Sequence, residues 1–342
     1  MFPSAVHLDR RTVVTVRAPG RLHLGFLDPS ASLGRRFGSL GLVIDGPATE
    51  VTIEPAATDE FAGATPAARL ELERVRVHVE RLREQTGRRD PLRLTLVQVL
   101  PAHAGLGSGT QLALAVGRAF ARWQRLEVPS ATLAAWLGRG LRSGIGIAGF
   151  DQGGLLLDGG PSRTGAPAAL LSRIEVPSTW RIVLVQDPRV RGLSGADEKR
   201  AIATLDALPR AAAADLCHQV LMRVLPGAAD ADFAPFADGV NELQRVLGEH
   251  FAPAQDGRAF TSAAVERLVR GIAAVRLDGV SGGAAIGQSS WGPTGFAILP
   301  SESAAHAALE AARAQGLVDA ALDIRIVAAR NRGVLLHDTR SA

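Results

Sequence analysis

The segment Pro101-Ala102-His103-Ala104-Gly105-Leu106-Gly107-Ser108-Gly109-Thr110-Gln111 carries the clearest chemical signal in this chain. Glycines at alternating positions let a backbone approach a ligand closely and turn several amide hydrogens inward. Before it, Leu92, Leu94 and Leu96 alternate with polar residues and Val97 and Val99 follow, which predicts a strand that Pro101 ends. After it, Leu112, Ala115, Ala119 and Trp123 recur at helical spacing over Thr110–Leu126. A helix starting at Thr110 aims the positive end of its dipole at the loop, so the arrangement suits phosphate or pyrophosphate. It is not a Walker A loop, because no lysine follows the last glycine, and it lacks the spacing of a dinucleotide fingerprint. The bland alternative is a tight turn packing a helix against a strand; Ser108, Thr110 and Gln111 weigh against it.

The elements that must position this loop are legible in outline. Thr12–Val16 reads as a strand ending at the turn Ala18-Pro19-Gly20, and Gly41–Ile44 and Thr49–Ile53 as strands around Gly46-Pro47. Ala67–Glu84 is helical, Ser130 can cap another helix, and Ser143–Gly160 is a second glycine-rich stretch around a short strand. Helical patterns then run over Gly195–Leu205, Ala211–Leu225, Phe233–Leu247 and Phe260–Val275. A third glycine region, Gly279–Gly287, precedes a strand at Thr294–Leu299, a helix at Ala304–Gln315 and a strand at Ile324–Val327. Strands early and helices in the middle exclude a regular β-α-β alternation and predict an α+β fold in two lobes, residues 1–178 and 179–342.

Composition bounds the rest. A hydrophobic fraction of 46% in 342 residues is enough for a packed core, so disorder is not expected. The formal charge of +4 is small for this length, with arginines dispersed among acids, so no nucleic-acid partner is expected. Lys199 is the single lysine, which makes arginine, with its two-pronged fork for phosphate and carboxylate, the working cation. Cys217 alone cannot form an internal disulfide, and no apolar stretch is long enough to cross a membrane. Without a signal-like N-terminus, a soluble cytoplasmic protein is the expectation. Zinc-site spacings are not found, and no Gly-x-Ser-x-Gly elbow precedes a helix in a usable context.

Pro101-x-x-x-Gly105-Leu106-Gly107-Ser108 resembles the phosphate loop of the GHMP superfamily of small-molecule kinases. Arg17-Ala18-Pro19-Gly20-Arg21-Leu22-His23 resembles its first motif and Gly287-Gln288-Ser289-Ser290-Trp291-Gly292-Pro293 its third. The kinases usually carry a second serine after Gly-Leu-Gly-Ser, where this chain has Gly109-Thr110-Gln111. Together with Gly34-Arg35-Arg36-Phe37-Gly38 and Arg191-Gly192-Leu193-Ser194-Gly195, these segments resemble the β-ribofuranosylaminobenzene 5′-phosphate synthase family. The resemblance implies a ribosomal-S5-domain-2-like N-terminal lobe and a ferredoxin-like C-terminal lobe. It also implies a pentosyl transfer in tetrahydromethanopterin biosynthesis, from phosphoribosyl pyrophosphate to a para-substituted benzoate with loss of carbon dioxide. Magnesium as cofactor and a homodimer are implied too. A GHMP-type ATP-dependent kinase is the second reading, and a non-catalytic binding module the third.

Under this resemblance Gly105, Leu106, Gly107, Ser108, Gly109, Thr110 and Gln111 hold the pyrophosphate, with Ser108 also a metal ligand. Asp151, flanked by Gly149 and Gly153-Gly154, is read as magnesium ligand or base, or else as a turn-forming aspartate. His23 is read as catalytic or as a core histidine. Arg21, His103, Asp187, Arg191, Ser194, Ser289, Ser290 and Trp291 are the expected substrate contacts, against the alternatives of a surface arginine, a solvated loop and a buried aromatic anchor.

Overall fold

The computed structural model describes residues 12–162, 168–193, 195–276 and 283–341. Two long antiparallel strands, β1 (Val14–Asp28) and β2 (Phe37–Pro55), form the spine of the first sheet. β3 (Glu60–Gly63), α1 (Pro66–Leu70), α2 (Leu72–Thr86) and β4 (Leu92–Gln98) follow. Next come α3 (Ser108–Trp123), α4 (Ser130–Trp136), α5 (Ile145–Gln152), β5 (Leu155–Asp158) and β6 (Leu170–Ile174). The second half contains β7 (Arg181–Gln186), α6 (Gly195–Thr204), α7 (Arg210–Gln219), α8 (Leu225–Ala229), α9 (Phe233–Phe251) and α10 (Ala263–Ala274). β8 (Ala285–Gln288), β9 (Thr294–Leu299), α11 (Glu302–Ala314), β10 (Asp323–Ala328) and β11 (Leu335–Asp338) complete it.

The first sheet runs β11-β1-β2-β4-β3, with β5 on β2 and β6 on β5. The second runs β10-β7-β9-β8 and is antiparallel throughout. Taken in chain order its strands lie 4-1-3-2, the ferredoxin-like arrangement. β11 pairs with β1, so the chain returns to the first sheet across the expected division at residue 178. Three apolar layers hold the elements. Val14, Val16, Val51, Ile53 and Leu94 pack against α2–α5. Leu22, Leu24, Ile182, Leu184 and Phe296 meet α7–α9 between the sheets. Val183, Val185 and Ala297 are covered by α10 and α11.

Three sequence expectations are corrected here. Ala18-Pro19-Gly20 is not a turn, because β1 continues through it with a register shift between Pro19 and Arg21. That bulge moves the even-numbered side chains from one core to the other: Val14, Val16 and Ala18 face α3, while Leu22 and Leu24 enter the layer between the sheets. Gly46-Pro47 likewise lies within the unbroken β2, where Gly46 absorbs a φ of 105°. The stretch Ser143–Gly160 folds its first part into α5.

Candidate active site

The β1 bulge is what brings Arg21 and His23 to the site, since they alternate with the core residues Leu22 and Leu24. Arg21 accepts the loop as a neighbour twice over. Its amide donates to the Leu106 carbonyl at 3.2 Å, and its Nη1 donates to the Gly105 carbonyl at 2.7 Å. Gly105 and Gly107 take φ values of 83° and 81°, where a side chain is strained. A Cβ on Gly105 would also collide with the Ser289 carbonyl, and one on Gly107 would press on the Arg21 guanidinium at 3.2 Å. Ser289, fully buried, ties the three motifs together. Its Oγ donates to the Gly105 carbonyl at 2.7 Å and accepts from the His23 amide at 2.9 Å. The third glycine motif therefore acts as a clamp behind the loop, and Gly292 packs directly on Ala104 and Gly105.

A cleft of about 670 Å³ opens beside this assembly. Arg21, Arg36, Arg139 and Arg142 line it, with Glu198 of α6 as the carboxylate among its lining residues. Thr110, in the first turn of α3, is the loop residue that reaches its wall. Glu198 accepts from Arg142 at 2.7 Å, so a positive excess is left for a ligand. Burial pushes the Arg21 guanidinium down to about 10, with Glu198 opposing that shift. His23 is 4% exposed and its Nε2 has no hydrogen-bond partner. Burial, then Arg21 and Arg142, push its imidazole down to about 3, so it is neutral near pH 7 and accepts a hydrogen bond more readily than it keeps a proton.

His23, Phe26 and Ser290 also line a second, smaller pocket of about 40 Å³, whose far wall is Leu247, Phe251 and Trp291. Trp291 is buried, 4.7 Å from the Phe251 ring between centroids. An arginine-walled cleft and a small aromatic recess thus meet at His23.

The expected residues divide. Arg21, His23, Thr110 and Ser290 line the cleft, and Trp291 lines the pocket. Gly105, Gly107 and Gly109 serve close packing against Ser289, Arg21 and a pair of arginines. Leu106 is core, and Gln111 is buried, donating from Nε2 to the Gly146 carbonyl at 2.9 Å. Ser108 starts α3. His103 is exposed at a φ of 59°, and its carbonyl accepts from the Gly192 amide at 3.1 Å.

Asp151 is not brought to the cleft. It is exposed at the far end of α5 and accepts from Ser130 Oγ at 2.6 Å. Ser130 in turn bonds Arg118, ten residues beyond Ser108 and so about 15 Å along α3. The two expected magnesium ligands, Ser108 and Asp151, therefore do not meet. Among the described residues no group of three or more His, Cys, Asp or Glu is placed to hold a metal. Asp187 is buried and accepts from Arg189 Nε at 2.8 Å and from Ser262 Oγ at 2.7 Å, a structural knot at the start of α10. Arg191 is exposed, and Ser194 lies outside the described residues.

Composition and motif reading did not single out Arg139, Arg142, Glu198 or Asp158. Asp158 is fully buried and accepts from Ser143 Oγ at 2.9 Å and from the amides of Gly144, Ile145 and Gly160. It fixes the start of α5 and with it the cleft wall around Arg142 and Ser143. Its one local signal is its place at the end of an apolar strand, where a lone carboxylate needs partners.

Two family models match, GHMP kinases N terminal domain over residues 73–155 and GHMP kinases C terminal over residues 225–317. Over 339 residues the chain is 30% identical to a β-ribofuranosylphenol 5′-phosphate synthase from Archaeoglobus fulgidus, covering 94% of this chain and 99% of that protein. The chain belongs to this synthase family. A relative of the same name from Methanothermobacter thermautotrophicus is 28% identical over 300 residues, covering 83% of this chain and 88% of its own. The structures of homoserine kinase from Cytophaga hutchinsonii and galactokinase from Lactococcus lactis each superpose with a TM-score of 0.66 at 17% and 14% identity. They cover 98% and 96% of this chain, and 100% and 96% of their own. At that identity they establish the fold and nothing of the reaction: the two-lobed GHMP fold expected from the motifs is present. In this chain the arginine-walled cleft is thus built on the GHMP fold. No described helix is long and apolar enough to cross a membrane.

Proposed function

We propose that this enzyme transfers the phosphoribosyl group of phosphoribosyl pyrophosphate to a para-substituted benzoate, in tetrahydromethanopterin biosynthesis. The observation that carries this reading is the junction at His23 of a cleft with four arginines and a pocket walled by Phe26, Phe251 and Trp291. A pyrophosphate suits the first, and a benzoate ring lying in the cleft would set an edge against the second. In the step, the ribose C1–oxygen bond to pyrophosphate breaks and C1 joins the ring carbon that bears the carboxylate. The ring–carboxylate bond then breaks, carbon dioxide leaves, and its electron pair restores aromaticity, with no net proton change. Arg21 and Arg142 stabilise the charge gathering on the leaving group, which is electrostatic preorganisation and needs no covalent nucleophile. The neutral imidazole of His23 accepts a hydrogen bond from the acceptor's hydroxyl or amino group and so enriches the ring. Packing by Phe26 and Trp291 keeps water from the oxocarbenium-like centre.

The names of the relatives favour 4-hydroxybenzoate over 4-aminobenzoate. Magnesium is read as travelling with the pyrophosphate, since among the described residues no cluster of His, Cys, Asp or Glu is placed to hold it, and chelation is expected to lower turnover through the substrate. A homodimer, implied by the motif resemblance, is read out by sedimentation. The direct test incubates the enzyme with phosphoribosyl pyrophosphate, magnesium and either benzoate labelled at the carboxylate. Equal release of labelled carbon dioxide and pyrophosphate is expected, faster with 4-hydroxybenzoate. Absence of both products, with ATP consumed when candidate alcohols are supplied, would hand the chain to the kinase reading.

A further inference from the structure

The first turn of α3 has a second charged side. Arg74, His78 and Arg81 sit at helical spacings of four and three on α2, hence on one face. Arg139 follows α4 between Gly138 and Gly140, whose φ values of 69° and 82° set the sharp path there. Arg74 Nη2 and Arg139 Nη1 lie 3.2 and 3.3 Å from where a Cβ would stand on Gly109. Two like-charged groups are thus held against the backbone at the positive end of a helix. Arg81 Nη1 lies 3.8 Å from the corresponding point on Gly138. Among the described residues, the carboxylate bonded to this group is Glu71, at 2.6 Å from Arg74.

Three buried nitrogens of this cluster stand without a hydrogen-bond partner among the described residues. His78 is 4% exposed and neither ring nitrogen has a partner, and Arg139 Nε is buried and unpartnered as well. Burial, with Arg139, Arg74 and Arg81, pushes His78 down to about 4. An anion would supply acceptors to the arginines and relieve their mutual repulsion. Gly107, touched by Arg21, and Gly109, touched by Arg74 and Arg139, are two residues apart. Gly107 is the left-handed cap before α3 and Gly109 lies in its first turn, so the two sets of arginines meet neighbouring points of one helix end. Gly138 and Arg139 also line the cleft, which makes the two sides one continuous surface.

We infer that Arg74, Arg81 and Arg139 form a second anion subsite that takes the 5′-phosphate of the substrate while Arg21, Arg142 and Thr110 take its pyrophosphate. This rests on the reading of the substrate as a phosphoribosyl pyrophosphate, whose two charged ends require two such places. Calorimetry with inorganic pyrophosphate, ribose 5-phosphate and phosphoribosyl pyrophosphate tests it on the wild type and on Arg74→Gln and Arg81→Gln, each checked for an unchanged melting temperature. Wild type is expected to bind ribose 5-phosphate and pyrophosphate together. Each variant is expected to lose about tenfold in affinity for ribose 5-phosphate and for the full substrate, the worth of a charge-assisted hydrogen bond, and to keep its pyrophosphate affinity within about twofold. Equal weakening of all three ligands would mean a diffuse field without a second subsite, and unchanged ribose 5-phosphate binding in both variants would also overturn it. Failure of the parent reading looks different: pyrophosphate and ribose 5-phosphate would bind to separate sides as expected, yet no carbon dioxide would be released.

Discussion

Arg83 and Arg81 stand two residues apart on α2 and do opposite things. Arg83 holds Asp59 in a two-pronged bond, Nη1 and Nη2 each 2.7 Å from a carboxylate oxygen, and that bond raises its pKa. Arg330 with Asp45 at 2.8 Å and Arg189 with Asp187 at 2.8 Å repeat the pattern on other elements. Arg81 instead joins Arg74 around Arg139, and burial, with these like charges added, lowers the pKa of Arg139. In a chain with a single lysine, the same residue type therefore has two uses. Where a carboxylate completes it, arginine fastens the fold. Where arginines confront each other, their repulsion is a cost that a bound anion would offset. The difference separates structure from function more sharply than the identity of any one residue.

This contrast can be broken by substitution. The largest effect is expected from Arg21→Met, which removes a cleft cation and the bond to Gly105. A loss of about 10²–10³ in kcat/KM is expected, the scale of a transition-state charge contact, and steady-state pyrophosphate release measures it. Asp187→Asn should do the converse, costing stability with little change in activity per folded molecule. The Arg189 and Ser262 bonds hold the Asp187 carboxyl down to about 2, below its ordinary 3.8. Because the folded value is depressed, the contribution is full above about pH 5 and is lost as pH falls through 4 toward 2. The variant should lose about 2 kcal/mol at pH 7 and converge on wild type in acid, as urea unfolding at several pH values would show.

A third prediction sharpens the role of His23. Its imidazole nitrogens, followed by NMR, should stay neutral from pH 8 down to about 4, in keeping with its value of about 3. Bound pyrophosphate should offset Arg21 and Arg142 and move that titration upward; no movement would place the anion elsewhere. The smallest effect belongs to Asp151→Asn, expected to change kcat/KM by less than about twofold, the range of a surface substitution. A large loss there would restore the role that Gly149–Gly154 suggested.

How far the sequence could be read follows from what kind of interaction each part uses. The strand before the glycine loop and the helix after it rest on local periodicity, and both are found. The bulge in β1 rests on pairing with β2 and Leu106, contacts that Ala18-Pro19-Gly20 does not advertise, so a turn was the natural expectation. β11 returns over an interval of some three hundred residues to pair with β1, which no local pattern encodes. At the site, Arg21, His23 and the 289–291 motif were legible because the segments that hold them resemble the first and third motifs of a known superfamily. Arg139 and Arg142 were not, because arginine is everywhere in this chain and only the packing of α4 and α5 distinguishes them. Asp151 misled for a related reason: glycine flanks signal close backbone approach, and here that approach is to Arg330, Arg332 and Gly333 and not to a ligand.

The most direct test of the cleft as a site for a ribose donor with two charged ends is calorimetric titration of the wild-type enzyme with magnesium phosphoribosyl pyrophosphate and, separately, magnesium ATP. Binding of the ribose donor at one equivalent, at least about tenfold tighter than ATP and displaced by pyrophosphate, is the expected result. Tight ATP binding with the ribose donor bound weakly or not at all would contradict it.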